Sequence, residues 1–116
     1  MNKLEIQRRL ILLTDNIDVL VFSHELFQKR QHIKDQLERS STSAACHYGE
    51  VIAAESTKDF VHKLSVVEKE LRECHSLLFR LSLRLIKGNE IHELLDETDQ
   101  LIRILYSSKK TAQENI

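Results

Sequence analysis

The clearest pattern in the chain is a run of apolar residues separated alternately by four and three positions. It begins at Phe60 and continues to Leu85 without a slip. This heptad spacing keeps one stripe of a slightly underwound helix turned toward its neighbours, as in left-handed bundles. Ser56, with Asp59 three residues later, forms a capping box that satisfies free N–H groups where a helix starts. The pattern predicts a long helix over residues 57–87.

Three further segments repeat this rhythm of apolar positions. They predict helices over residues 2–25, 29–55 and 90–110, and Asn89 is the expected N-cap of the last one. Short turns between consecutive helices make them antiparallel neighbours. We therefore predict an all-α protein, an antiparallel up-down-up-down four-helix bundle, in which residues 1–116 form a single domain.

The second predicted helix loses its large side chains at its middle. Its seam reads Ile33, Leu37, Ser40, Ala44, His47, Val51 and Ala54, with Ser41, Ser43 and Ala45 beside it. Each large side chain that is missing there gives up roughly 1.5–3 kcal/mol of burial, so closer packing must return part of the loss. One interpretation is that this helix crosses the first and fourth predicted helices at a short interaxial distance. The other is that one side packs inside its own bundle while another packs against a second subunit.

Composition and charge restrict the function. The 116 residues are 41% hydrophobic and 30% charged with a formal net charge of -1, so the whole molecule has no general attraction for nucleic acid or anionic lipid. No apolar run approaches the roughly 20 residues that cross a bilayer, and the N-terminus does not read as a signal peptide. The two cysteines, Cys46 and Cys74, lack metal-binding spacing. We expect a cytoplasmic protein with free thiols.

Six histidines and many carboxylates raise the question of a metal or catalytic site. Each cysteine is followed directly by a histidine, and adjacent side chains point roughly 100° apart on a helix, so neither pair can chelate a metal together. Cys74 lies on the apolar seam, where a buried thiol is usually inert. We expect no catalytic residue, no metal site and no cofactor.

A local excess of basic residues lies between positions 28 and 39. Its cations are Lys29, Arg30, Lys34 and Arg39, interspersed with acids. A ring would repeat this patch around its axis, so a modest excess becomes an avid surface for nucleic acid. The alternative is an ordinary solvated helix face, which is what a run of charges usually forms.

The centre of the chain resembles a known family. The stretches QLERSSTSAACHYGEVIAAEST and KDFVHKLSVVEKELRE match its signature in order at Leu37, Arg39, Ser40, Ser41, Ser43, Glu50, Ser56, Asp59, Phe60 and Glu73. This signature is similar to that of the four helix bundle protein family, whose members are also found encoded in intervening sequences of 23S ribosomal RNA genes. The match covers residues 30–80, and the family's usual Phe-Pro turn between the first two helices is absent here.

The resemblance implies an antiparallel four-helix bundle that assembles into a ring, typically a homopentamer, without enzymatic activity. A related branch, the accessory proteins of diversity-generating retroelements, is similar to basic barrels that bind a reverse transcriptase and nucleic acid. Glu50 and Glu73 stand at signature positions. Their expected partners are Arg39 or Arg72 within the chain or, alternatively, a neighbouring subunit.

We therefore expect a non-enzymatic homo-oligomeric bundle, ring-forming and pentameric, that acts as an interaction or scaffold module for another protein. The residues expected at its packing and assembly surfaces are Arg39, Ser40, Ser41, Ser43, Ala44, Ala45, Glu50 and Glu73. The alternative is a nucleic-acid-binding accessory factor, as a partner of a reverse transcriptase or linked to ribosomal RNA intervening sequences. Its binding residues are Lys29, Arg30, Lys34 and Arg39. A basic ring surface favours this alternative, and an apolar exposed groove favours the scaffold module.

Overall fold

The computed structural model describes residues 1–115, and over that range the protein is all-α. Its five helices, α1 to α5, span Lys3–Ser23, Leu26–Lys29, Gln31–Ile52, Thr57–Arg84 and Asn89–Glu114. No strand occurs in this part of the chain, which has no proline and only two glycines to interrupt its helices. The prediction of an all-α protein is confirmed.

The connection between α1 and α3 differs from the predicted first helix over residues 2–25. Helix α1 ends at Ser23 because His24 adopts extended backbone, with φ -127° and ψ 119°. The chain then forms the one-turn helix α2 before it enters α3. Phe27 of α2 is only 1% exposed, and burial of its ring fixes this bend. The chain therefore has a fifth helix that the four-helix prediction did not include.

Helix α5 is longer than the predicted range of 90–110 and reaches Glu114. Near its end, Lys109 Nζ lies 2.9 Å from Glu68 Oε2 of α4. The two side chains are only 19% and 11% exposed, so this contact between α4 and α5 is well shielded from solvent. The ion pair holds the C-terminal part of α5 against α4.

Local chemistry fixes the start of α4 and of α5. Ser56 Oγ accepts a hydrogen bond from the Asp59 N–H at 3.0 Å, and Asp59 Oδ2 accepts one from the Glu55 N–H at 3.2 Å. The first bond is the N-cap half of the predicted capping box, and the return bond from Asp59 reaches the N–H of Glu55, one residue before the N-cap. Gly88, and not the predicted Asn89, is the N-cap of α5. Its φ of 109° is a conformation that glycine adopts without a steric penalty.

The apolar seam of α4 lies at the centre of the core. Its fully buried members are Leu64, Val67, Leu71, Cys74, Leu78 and Leu81. The seam positions at the two ends, Phe60 and Leu85, are half-buried because fewer neighbours cover the helix there. A buried aliphatic side chain contributes about 1.5–3 kcal/mol, so this stripe is the main attachment of α4 to the rest of the protein.

Helix α3 departs from the heptad toward its C-terminal end. The predicted seam residue His47 is half-buried, whereas its neighbour Tyr48 is only 2% exposed. A straight α-helix drifts by about 20° per heptad relative to a perfect 3.5-residue repeat, and this drift transfers the buried position to Tyr48. Burial raises the pKa of the Tyr48 phenol to about 12.

The four long helices contact one another in a closed order. Helix α1 packs against α3 and α5, and α4 packs against the same two helices. The body that they form is elongated, with principal extents of 47 × 20 × 19 Å. Each long helix therefore has two main neighbours and keeps one face on the outside.

Candidate packing and assembly site

The small residues of α3 line a boundary between the core and the surface. Ser40, Ser41 and Ala44 are completely buried, and Ser43 and Ala45 are half-buried. The stripe therefore has an inner edge that packs inside this chain and an outer edge that reaches the surface.

The inner edge contacts α1 through Ser41. The Thr14 Oγ1 of α1 lies 3.1 Å from the Ser41 carbonyl oxygen, and also 3.1 Å from the Leu10 carbonyl oxygen in its own helix. A short side chain can bond to the backbone of a neighbouring helix only when the two helices lie close together, and the separation depends on the side chains at the contact. The Ser41 hydroxyl donates to the Glu38 carbonyl oxygen at 3.2 Å, so its burial leaves no donor unsatisfied.

The inner edge contacts α4 through Ser40. Its hydroxyl donates to the Leu37 carbonyl oxygen at 3.2 Å and lies close enough to the Cys74 thiol to affect its pKa. Burial raises the Cys74 pKa to about 12, and the Ser40 hydroxyl opposes this rise with a smaller effect. The prediction that α3 crosses the first and fourth predicted helices is wrong for the fourth. Its close neighbours are α1 and α4, because α5 lies diagonally across the body from α3.

The two glutamates at the signature positions differ in their surroundings. Glu73 Oε1 lies 2.5 Å from Arg39 Nη2, in an ion pair that joins α4 to α3 within the chain. The two side chains are 39% and 57% exposed, and a pair in such a setting contributes only about 0–1 kcal/mol. Arg72 lies 3.8 Å from Glu68 on its own helix, and Glu50 is exposed. Contacts of these acids with a neighbouring subunit stay a prediction.

Two better-shielded ion pairs join residues that are far apart in the sequence. Arg9 of α1 reaches both carboxylate oxygens of Glu97 on α5, at 2.9 and 2.5 Å, and this contact raises the pKa of Arg9. The other pair joins Glu68 to Lys109, at 2.9 Å. The only sequence signal for Glu68 is its place one helical turn from two seam leucines, which puts it at the edge of the buried stripe.

The four cations of the predicted nucleic-acid patch have different surroundings, and two of them pair with acids of the same chain. Lys34 Nζ lies 2.9 Å from Glu38 Oε1, and this hydrogen bond raises the pKa of Lys34. Arg39 pairs with an acid of α4. Lys29 is exposed in α2, and Arg30 is half-buried between α2 and α3. Because Lys34 and Arg39 have carboxylate partners within the chain, nucleic-acid binding stays a prediction to which the geometry adds no support.

Helix α1 carries an apolar face on the side turned away from the core. We call this set the α1 outer face: Leu4, Ile11, Leu12, Val19 and Phe22. All five are exposed, and the Phe22 ring is 93% exposed. At 100° per residue they lie within about 100° of one another around the helix axis, opposite the buried stripe. The runs LILL and VLVF were the available signal, since they contain more apolar residues than one helix face needs.

A second apolar surface lies near the C-terminal end of α4. Phe79 and Leu83 are 53% and 58% exposed, and two exposed cations, Arg80 and Arg84, lie beside them. We call these four residues the α4 knob face.

The C-terminal half of α1 and the start of α5 enclose a groove of about 280 Å³. We call it the α1–α5 groove, and its lining residues are Asn16, Val19, Glu90, Glu93, Leu94 and Glu97.

The structure shows no grouping of three or more His, Cys, Asp or Glu side chains that could hold a metal ion among residues 1–115. No helix in that range is both long enough and apolar enough to cross a membrane. Cys46 is exposed, Cys74 is buried, and both are free thiols. The expectations of no metal, no cofactor and no catalytic residue stay predictions.

These features define the chain as an all-α protein of packed long helices with apolar side chains on its outer faces. The model of the family described as 23S rRNA-intervening sequence protein matches residues 2–107, and the chain belongs to this family. The resemblance in the sequence signature is thereby confirmed.

The fold is also similar to a solved structure from Bacteroides thetaiotaomicron, described as a protein with unknown function from the S23 ribosomal protein family. The TM-score is 0.79 at 22% sequence identity, and the likeness covers 95% of this chain and 99% of that one. At this identity the likeness shows the fold alone. A comparison with curated proteins gave no match.

Proposed function

We propose that the protein is a non-enzymatic, self-assembling helical module that forms a ring and serves as an interaction scaffold for another protein. The observation that carries this proposal is the α1 outer face, where Phe22 is 93% exposed and four further large apolar side chains are about half exposed or more. Contiguous apolar surface on one side of a protein marks an interaction site. A count of five subunits follows the family resemblance.

The energetics of the α1 outer face decide how much surface such an assembly needs. Full burial of a side chain of this size is worth about 1.5–3 kcal/mol, and most members of the face are already partly covered by their own chain. A partner therefore recovers about half of that value from each. Association costs about 4–15 kcal/mol in lost freedom of motion, so the face needs additional contact surface to hold a partner.

We further infer that the four long helices form an antiparallel, up-down-up-down bundle. The contacts between α1 and α5 support this arrangement, because Lys3 shares a groove with Ala112 whereas Val19 shares one with Glu90. Residue numbers thus rise along α1 and fall along α5. Short connections between α3 and α4, and between α4 and α5, favour the same arrangement for those neighbours.

A ring, in preference to a two-fold dimer, is supported by where the exposed apolar side chains lie. A two-fold dimer buries the same patch on both copies, whereas a ring joins two different patches. Large exposed apolar residues occur both on α1 and at the end of α4. Two separate surfaces of this kind suit head-to-tail assembly.

A cytoplasmic location is part of the proposal. Both cysteines are free thiols, and Cys46 is exposed. Exposed thiols persist in reducing compartments, whereas oxidising compartments favour disulfides.

Sedimentation velocity across a concentration series tests the assembly. Replacing Leu12 and Val19 together by serine removes apolar area from the α1 outer face without disturbing the core. We expect the dissociation constant of the assembly to rise about tenfold or more. A tenfold rise corresponds to only about 1.4 kcal/mol of binding free energy. Tyr106→Ser is the matched control, because Tyr106 is 52% exposed on α5. A wild-type chain that sediments as a 13.6 kDa monomer at every concentration would refute the proposal.

A further inference from the structure

The α1–α5 groove combines an apolar floor with an acidic rim. Val19 and Leu94 supply apolar lining, and Leu94 is only 5% exposed. Glu90 and Glu93 line the same groove and are exposed. The third glutamate of the groove, Glu97, is already bound by Arg9. The groove therefore offers an apolar site for a side chain and two carboxylates for a cationic partner.

The α4 knob face has the opposite character. Phe79 and Leu83 are four residues apart and lie one above the other on the helix, as do Arg80 and Arg84. The face thus presents an apolar row beside a cationic row. The ion pairs found among residues 1–115 use neither of these arginines, nor Glu90 or Glu93.

The two surfaces lie at the same end of the molecule but on different sides. The α4 knob face occupies the last turns of α4, which ends at Arg84, and Glu90 lies in the first turn of α5, which begins at Asn89. The groove lies between α5 and α1, whereas the knob face lies on the outside of α4. A repeated contact between different surfaces builds a ring if it closes and a filament if it does not. The knob face and the groove lie at the same level along the long axis of the molecule. A contact between them therefore does not shift one copy along that axis relative to the next, and this favours a closed ring over a filament.

We propose that the α4 knob face of one copy docks into the α1–α5 groove of the next copy, and that this contact builds the ring. The inference rests on the proposed self-assembly and names the surfaces that carry it. Phe79 and Leu83 pack toward Val19 and the floor of the groove, and the two arginines pair with Glu90 and Glu93 on its rim. The occupant is a second copy of this chain because the charges of its own two surfaces are complementary.

The charged rows set the register of this contact. Complementary charges across an interface fix orientation and reject wrong partners more than they add affinity. If the groove of one copy met the groove of another, glutamates would face glutamates. If two knob faces met, arginines would face arginines. Both symmetric pairings are repulsive, so the head-to-tail pairing is selected.

Charge reversal tests the proposal by light scattering. Arg80→Glu with Arg84→Glu makes both surfaces acidic, and Glu90→Lys with Glu93→Lys makes both basic. Each pair of changes is expected to lower the mass to the 13.6 kDa of one chain at concentrations where the wild type is assembled. Combining all four changes restores opposite charges and the formal net charge of -1, and it is expected to restore the wild-type mass.

The matched control is Lys58→Glu with Lys69→Glu, which makes the same change in charge at exposed positions nearer the start of α4 and is expected to keep the wild-type mass. Circular dichroism checks that every variant remains helical. If the Arg80 and Arg84 variant assembles like the wild type, or the combined variant does not recover, the docking proposal is overturned while self-assembly stands. A wild type that never assembles overturns both.

Discussion

The contact between Thr14 and Ser41 explains why α3 has small side chains at its middle. The Thr14 hydroxyl lies at hydrogen-bonding distance, 3.1 Å, from the Ser41 carbonyl oxygen of the next helix. The small side chains at this turn of α3 bury less apolar area than large ones would, but they let α1 and α3 lie closer together. On the other side of α3, the fully buried Ser40 lies beside the Cys74 thiol of α4. Single residues therefore set how closely α3 lies to both of its neighbours.

Ser41→Leu tests this role at a single residue. A larger side chain at this fully buried position forces α1 and α3 apart, and overpacking of this kind costs about 1–3 kcal/mol. Thr42→Leu is the control, because Thr42 is exposed on the same helix and surface changes usually stay within about 0.5 kcal/mol. Urea unfolding at one fixed protein concentration compares the two. Equal free energies of unfolding for both variants would show that the contact is loose.

The two thiols are expected to differ sharply in reactivity. Cys46 is exposed, whereas Cys74 is buried and its pKa is raised to about 12. The thiolate is the reactive form, so at pH 8 an aromatic disulfide reagent should titrate one thiol in the native protein and both in guanidinium chloride. Cys46→Ala should then leave no fast-reacting thiol. Rapid reaction of both thiols in the native protein would contradict the burial of Cys74.

At the scale of helices, the seam of α4 could be predicted because its period requires only local information. The extra helix α2 could not, since its cause is the burial of Phe27 in the core, which depends on how the helices pack. Tyr48 is buried where the heptad pattern predicted His47, because the helix drifts in phase relative to a strict seven-residue repeat. The contact of Lys109 with Glu68 joins α5 to α4 and has no local signature in the sequence.

The capping box at the start of α4 should contribute measurably to stability. In Ser56→Ala the Asp59 N–H loses its acceptor at 3.0 Å, and loss of such a cap costs about 0.5–2 kcal/mol. Ser76→Ala provides the control, because Ser76 is exposed in the middle of the same helix. Thermal and urea unfolding should show the loss in the Ser56 variant alone. Equal stability of the two variants would rule out a contribution from the cap.

The same capping box predicts a dependence on pH. The hydrogen bond from the Glu55 N–H, with Lys63 as a further cause, holds the pKa of Asp59 below its ordinary value. A carboxyl with a lowered folded-state pKa stabilises the protein above its unfolded-state pKa, about 3.9 for an aspartate. That contribution is lost as the pH falls through the folded-state pKa. The stability difference between the wild type and Asp59→Asn should therefore be larger at pH 7 than at pH 3 and should shrink as the pH falls below about 4.

At the level of the whole molecule, the small residues of α3 stand out in the sequence. Ser40, Ser41 and Ala44 are fully buried, and the part of the other small residues in assembly stays a prediction. The runs LILL and VLVF show that α1 has surplus apolar residues, but which residues face outward, such as Val19 and Phe79, is known only once the opposite side of each helix is known to be buried. Arg39 was one of the predicted partners of Glu73, and the choice of Arg39 over Arg72 depends on how α3 and α4 align.

Native mass spectrometry of the wild-type chain counts subunits and therefore decides whether the protein assembles with itself. The proposed ring should give a dominant species at five times the chain mass of 13.6 kDa, about 68 kDa. This species should be lost in the variant with Arg80→Glu and Arg84→Glu. A single species at 13.6 kDa across the accessible concentration range would show that the protein does not assemble.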